Sequence, residues 1–116
     1  MQKRGVRGVV VGGRVRDLGE MEGWEVWAAG TSTVGAGAET KAVAVDCEVD
    51  VAGVKVKGGD VVFADREGRG VVVIPAGKVA EVVGMLDKAK EVDGLVGEDL
   101  EGGMELGEAF RKRRGA

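Results

Sequence analysis

The sequence predicts a small mixed α/β fold in which short strands fill the chain as far as Ile74 and helices close it. Three observations carry that expectation. Valine-rich runs recur between glycine turns up to Ile74, which is the signature of short buried strands. Pro75, the only proline, ends the last run and opens a helix. Beyond it Val79, Val82, Val83, Leu86, Ala89, Val92 and Val96 recur at helical spacing and make one apolar stripe. A series of short strands closed by glycine turns predicts a barrel-like or sandwich sheet.

Taken in order, the first element is Val9 to Val11, whose β-branched side chains pack well on a pleated surface. Gly12 and Gly13 are expected to turn the chain sharply. Arg16, Asp17 and Glu20 then stand just past the end of a core strand, a usual place for a site in an α/β fold. On chemistry alone the same residues also read as a solvated turn, with Asp17 capping a short helix and Glu20 at its third position. Trp24 to Ala28 alternates apolar and polar, a strand expected to direct Trp24 and Trp27 to one face as core residues. Gly30 to Glu39 is a Gly/Ser/Thr loop without the Gly-Lys-Ser/Thr ending of a phosphate loop.

Residues 43–51 have the clearest period of two. Val43, Val45, Cys47, Val49 and Val51 share one face, and Asp46, Glu48 and Asp50 share the other. On an extended strand those carboxylates stand about 7 Å apart, too far to share one ion, so a solvated face is expected. Cys47 reads as a small core hydrophobe. Ala52-Gly53 predicts a hairpin turn into Val54 to Lys57, and Gly58-Gly59-Asp60 the next turn. Val61 to Asp65 and Gly70 to Ile74 read as two further buried strands. Gly94 and Gly97 are expected to end the long helix, Glu98 to Gly103 to form an acidic link, and Met104 to Phe110 to begin a second short helix.

Composition narrows the chemistry. The chain has 116 residues, room for one small domain, and its 22 glycines far exceed the usual share of about 7%. That glycine content raises the entropy lost on folding, which predicts modest stability or help from a partner. A net charge of −3 argues against a general nucleic-acid binder. The basic residues gather at the ends, Lys3, Arg4 and Arg7 and then Arg111 to Arg114; the second group reads as cations complementing a helix C-terminus. The absence of histidine removes His bases, His metal ligands and Ser-His or Cys-His nucleophile pairs. Any metal must then be held by oxygen, which favours Mg²⁺ or Mn²⁺ over zinc. A single cysteine, no apolar run near the ~20 residues of a membrane span and no apolar leader predict a soluble, cytoplasmic protein.

The chain resembles the C-terminal half of the RraA-like family over about residues 5 to 110. The stretches that carry the resemblance are Gly8-Val9-Val10-Val11 with Arg16-Asp17-Leu18-Gly19-Glu20, which fits the family's Arg-Asp-x-x-Glu/Asp signature, and Val54 to Asp65 and Gly70 to Pro75. Val26 to Gly35 is similar to the fungal branch. The family includes 4-hydroxy-4-methyl-2-oxoglutarate aldolases with oxaloacetate decarboxylase activity, and regulators of ribonuclease E. The resemblance implies a class II pyruvate aldolase fold of the swivelling β/β/α kind, assembled as trimers or larger rings with sites between subunits. It implies that Asp17 ligates Mg²⁺ or Mn²⁺, that Arg16 binds the pyruvoyl part of a small 2-oxo-acid substrate, and that Glu20 holds a metal-bound water. Carbon–carbon cleavage beside a keto group leaves a pyruvate enolate, whose charge a divalent ion and a guanidinium stabilise.

Departures from the family pattern shape a further expectation. Only fifteen residues precede Arg16, leaving no room for the family's N-terminal glycine-rich loop, strands and helices. Gly12-Gly13 stands where Asp-Gly is common, and prolines usual near Glu48 and Gly59 are missing. Residues 1–116 are therefore expected to form one RraA-like domain truncated at its N-terminus, a metal-dependent lyase whose pocket is half built. A non-catalytic, protein-binding regulator of a ribonuclease is the alternative, and it predicts loss of the Arg-Asp pair that this chain keeps.

Overall fold

A computed structural model describes residues 4–115, so Met1, Gln2 and Lys3, part of the N-terminal reading, lie outside the described residues. The chain divides into two compact units, the first ending at Pro75 and the second beginning at Ala76. The first is built of strands and the second of helices, in the order the hydrophobic periodicity predicts.

In the first unit, β1 (Gly8–Val15) and β2 (Glu25–Thr31) pair in parallel from Gly8↔Glu25 to Val15↔Thr31. The glycine pair does not turn the chain as expected. The strand runs through Gly12 and Gly13 as a bulge, because Val11 pairs with Ala28 while the next partners are Arg14 and Gly30. Gly12 runs beside Val51 and Ala52: a Cβ there would meet Val51 Cγ1 at 3.4 Å and the Ala52 nitrogen at 3.5 Å, ordinary van der Waals contact. A short 3-10 turn, Leu18–Met21, connects the two strands, and a single helical turn, α1 (Ala36–Glu39), follows β2.

The predicted strand over residues 43–51 is realised only at its end, as β3 (Val49–Val51). Val43 is 90% exposed and Cys47 is exposed, so neither belongs to a core. The physical reason lies in the partner. β4 (Val54–Val56) has three residues, pairing stops at Val49↔Val56, and Asp46 breaks the extended run with φ +53°. The hairpin turn itself falls where expected. Ala52 (φ +53°) and Gly53 (φ +85°) adopt the paired left-handed geometry of a tight hairpin, and the Asp50 carboxylate accepts the Gly53 N–H at 2.7 Å.

β5 (Val61–Asp65) and β6 (Gly70–Ile74) form a second antiparallel hairpin, registered from Val61↔Ile74 to Asp65↔Gly70. Asp65 accepts the Glu67 N–H at 3.0 Å and the Gly68 N–H at 3.1 Å, which closes the turn. The strands are not buried as predicted, since Phe63 is 60% and Val72 58% exposed. Among the described residues the strands make three separate two-stranded sheets, β1–β2, β3–β4 and β5–β6, instead of one barrel-like sheet. Each strand finds its partner across a short connection and pairs along one edge alone, so no sheet closes.

In the second unit, a 3-10 turn at Ala76–Lys78 leads into α2 (Val79–Glu101), followed by α3 (Leu106–Arg114). Gly94 and Gly97 do not end α2, and the expected acidic link is its last turn. An interior glycine costs about 1 kcal/mol, which the packing of α3 against the same stretch offsets: Val96 and Ala109 are buried between them. The helix stops at Gly102 and Gly103. Gly103 has φ +90°, the Gly102 N–H donates to the Glu98 carbonyl, and the Met104 N–H donates to the Asp99 carbonyl. The basic end of α3 is largely taken up inside the unit. Asp99 accepts from Lys112 Nζ at 2.9 Å and from Arg113 at 2.7 and 2.9 Å, and Arg114 pairs with Asp93 and lies over the Phe110 ring. The hydrogen bonds from Arg113 and Lys112 hold the Asp99 carboxyl well below the usual carboxylate range, and Asp99 in turn raises the Arg113 guanidinium. Among the described residues no helix is long and apolar enough to cross a membrane.

Candidate functional site

At the C-terminal end of β1 the chain leaves the sheet through Arg16 and Asp17. Arg16 Nε and Asp17 Oδ2 lie 3.0 Å apart, each side chain about half exposed. Asp17 holds φ +59°, a left-handed conformation that aspartate tolerates better than most residues. It occupies the capping position of the Leu18–Met21 turn, but its side chain caps nothing; its carbonyl accepts the Glu20 N–H at 2.9 Å. The expected side-chain cap is therefore absent, and the carboxylate is given to Arg16.

The segment after β2 is tied to the same strand end. The Ser32 N–H donates to the Val15 carbonyl at 2.9 Å, and the Ser32 hydroxyl accepts the Val34 N–H at 3.1 Å. Gly35 passes beside the guanidinium, so that a Cβ there would stand 3.6 Å from Arg16 Nη1. Between these segments opens a cavity of about 980 Å³ with apolar walls from Val9, Val11, Trp24 and Val26, and with Arg16, Asp17, Glu20 and Glu39 among its polar lining. A smaller recess of about 590 Å³ lies over Arg14, Arg16 and Asp17, against Thr31, Ser32 and Thr33.

The three residues singled out from the sequence, Arg16, Asp17 and Glu20, thus line one cavity. Sequence reasoning missed Arg14, Glu39 and the position of Trp24. The tryptophans do not share a face as expected: Trp24 and Val26 line the cavity, whereas Trp27 does not. Residues three apart on a strand point to opposite sides, a signal the sequence already carried. Arg14 was legible in the same way, as the residue two before Arg16.

The donor chemistry suits a hard cation bound sparingly. Asp17 and Glu20 offer carboxylate oxygens, but no cluster of three His, Cys, Asp or Glu side chains that could hold a metal ion occurs among the described residues. Mg²⁺ is commonly held by one or two carboxylates, with water and substrate completing its shell, so the residues present fit such an ion and do not fit a closed structural site. The apolar walls lower the local dielectric, which strengthens any charge contact made inside.

The model of the RraA-like family, described as Aldolase/RraA, matches residues 1–73. Among solved structures the chain is similar to the crystal structure of an uncharacterized protein from Pseudomonas syringae pv. tomato str. DC3000, with a TM-score of 0.57 and 26% sequence identity. The match covers 74% of this chain and 42% of that one, so the chain spans less than half the length of that relative. No curated protein matches the sequence.

Proposed function

This chain belongs to the RraA-like family, which covers aldolase/decarboxylase and regulator members, and on that premise we propose that it is a divalent-metal-dependent lyase acting on short 2-oxo acids. Its substrates are then of the 4-hydroxy-4-methyl-2-oxoglutarate kind, with oxaloacetate decarboxylated at the same site. The observation that carries this reading is the Arg16–Asp17 pair, 3.0 Å apart, lining a cavity that Glu20 also lines.

Each side chain has a task that its geometry supports. Arg16 spends Nε on Asp17 and keeps its terminal amino groups for the carboxylate and keto oxygens of a 2-oxo acid, a fork well matched to that planar group. Asp17 is the residue that would hold a divalent ion, and Glu20 would hold a water bound to it; the ion would supply Lewis-acid stabilisation of enolate charge. Glu20 is also the carboxylate available to orient the water that exchanges a proton with the product enolate. Trp24, Val9 and Val11 keep the reacting end of the substrate against an apolar wall.

Homo-oligomerisation belongs to the same proposal, supported by apolar side chains such as Phe63 and Val72 that stand exposed on β5 and β6. That surface also favours the second reading, a protein-binding regulator. Pyruvate release from oxaloacetate in the presence of added Mg²⁺, measured for the native chain beside Asp17→Ala, separates the two. The lyase reading expects Asp17→Ala to lose at least about 100-fold in rate, the scale of removing one preorganised charge-stabilising group. Equal rates would overturn the lyase reading.

A further inference from the structure

Arg14 has no part in the lyase assignment, yet the bulge in β1 carries it to the same site. It lines the larger cavity and also the smaller recess, whose lining it shares with Arg16 and the hydroxyl-bearing residues Thr31, Ser32 and Thr33. Gly30, its partner on β2, leaves its stem free of a facing side chain; a Cβ on Gly30 would stand 3.8 Å from Arg14 Cγ. Arg16 is paired with Asp17, whereas Arg14 makes no ion pair with any described residue. Two residues along a strand place the two Cα atoms about 7 Å apart. The recess therefore presents two guanidinium groups, one partly neutralised and one not, together with hydroxyl donors.

We propose that Arg14 is the specificity residue of this site, binding the distal carboxylate of a dicarboxylic 2-oxo acid while Arg16 binds its 2-oxo-acid end. The assignment rests on the lyase reading for the role of Arg16, and it adds the residue that would recognise the second carboxylate carried by both substrates named in that reading. A monocarboxylate such as pyruvate leaves Arg14 unused. A dicarboxylate engages both guanidinium groups, each by charge-assisted hydrogen bonds, and Thr31, Ser32 and Thr33 supply further donors around the distal oxygens.

The test is equilibrium binding, followed by calorimetry and by tryptophan fluorescence, with pyruvate and 2-oxoglutarate as probes. The native chain is expected to bind 2-oxoglutarate about tenfold or more tightly than pyruvate, the range of one charge-assisted contact. Arg14→Gln is expected to erase that preference and leave pyruvate affinity within about twofold, while Arg16→Gln weakens both probes. Arg14→Lys, which keeps the charge without the fork and guards against a folding defect, is expected to retain part of the preference. Unchanged 2-oxoglutarate affinity in Arg14→Gln, equal weakening of both probes, or no binding of 2-oxoglutarate by the native chain would each overturn the assignment. Failure here remains distinct from failure of the lyase reading. An Arg14-dependent preference with Asp17-independent oxaloacetate turnover sinks the lyase reading alone, and Asp17-dependent turnover without the preference sinks the role of Arg14 alone.

Discussion

Asp17 joins two demands at one residue: a left-handed backbone at φ +59° and a carboxylate turned to Arg16. The two separate by substitution. Asn keeps the left-handed tolerance and removes the charge, so Asp17→Asn is expected to melt at the temperature of the native chain while losing Mg²⁺-dependent pyruvate release. A large fall in melting temperature with activity retained would contradict that separation. Ala52 tests the backbone alone, since at φ +53° it holds a conformation that costs a residue with a Cβ roughly 1–2 kcal/mol. Ala52→Gly is expected to stabilise the β3–β4 hairpin by up to about 1 kcal/mol in urea titration, after the greater unfolded-state freedom of glycine is subtracted. At this scale the sequence marks Arg16, Asp17 and Glu20 as a charged cluster behind a valine run, and the structure brings the three to one cavity; their roles come from the family resemblance and not from that pattern. The left-handed turn at Asp17 was not legible, because the residue also fits the pattern of a helix cap.

Elements show where periodicity succeeds and where it lacks information. The β5–β6 hairpin and the tight turn at Ala52-Gly53 are readable because turn chemistry is local. The strand over residues 43–51 is overestimated because alternation says which face a residue would take and nothing about whether a partner exists. Gly94 and Gly97 mislead for the converse reason, since α3 supplies packing that no local rule contains. A Cβ at either glycine would have nothing within 4 Å, so Gly94→Ala and Gly97→Ala are each expected to add about 1 kcal/mol of helix stability, read from thermal loss of helical ellipticity. No gain from either would show that α2 is distorted there. The Asp99 clamp adds a pH dependence of definite sign. Its carboxyl is depressed in the folded chain, so its contribution is complete above the unfolded value of about 3.9 and fades as the pH falls through the folded one. Asp99→Asn is accordingly expected to melt below the native chain at pH 7, with the gap closing in strong acid; equal melting temperatures at pH 7 would contradict the clamp.

For the whole molecule, the described residues of the first unit include none that is fully buried, and large apolar side chains on several strands face outward. The mixed α/β class and the strand-then-helix order follow from the sequence, but the pairing of strands two by two does not. Valine content sets how much apolar surface a chain offers, whereas closure of a sheet depends on which strands meet. The exposed Phe63 and Val72 lead to a measurable expectation. Sedimentation equilibrium of the native chain should resolve species larger than the monomer, and Phe63→Asp should shift them toward the monomer. A native chain that stays monomeric at its highest soluble concentration would remove oligomerisation from the proposal.

The bulge at Gly12-Gly13 has a consequence for how the motif is recognised in other sequences. An extended chain has a parity, and one inserted residue inverts it for everything downstream until the next irregularity. A relative with a single glycine here would keep the letters Arg-x-Arg-Asp and send the first arginine to the opposite side of the sheet. The string of letters is therefore an incomplete address. Whether a sequence encodes the two-arginine recess depends on the count of residues between the valine run and the first arginine as much as on the arginines themselves.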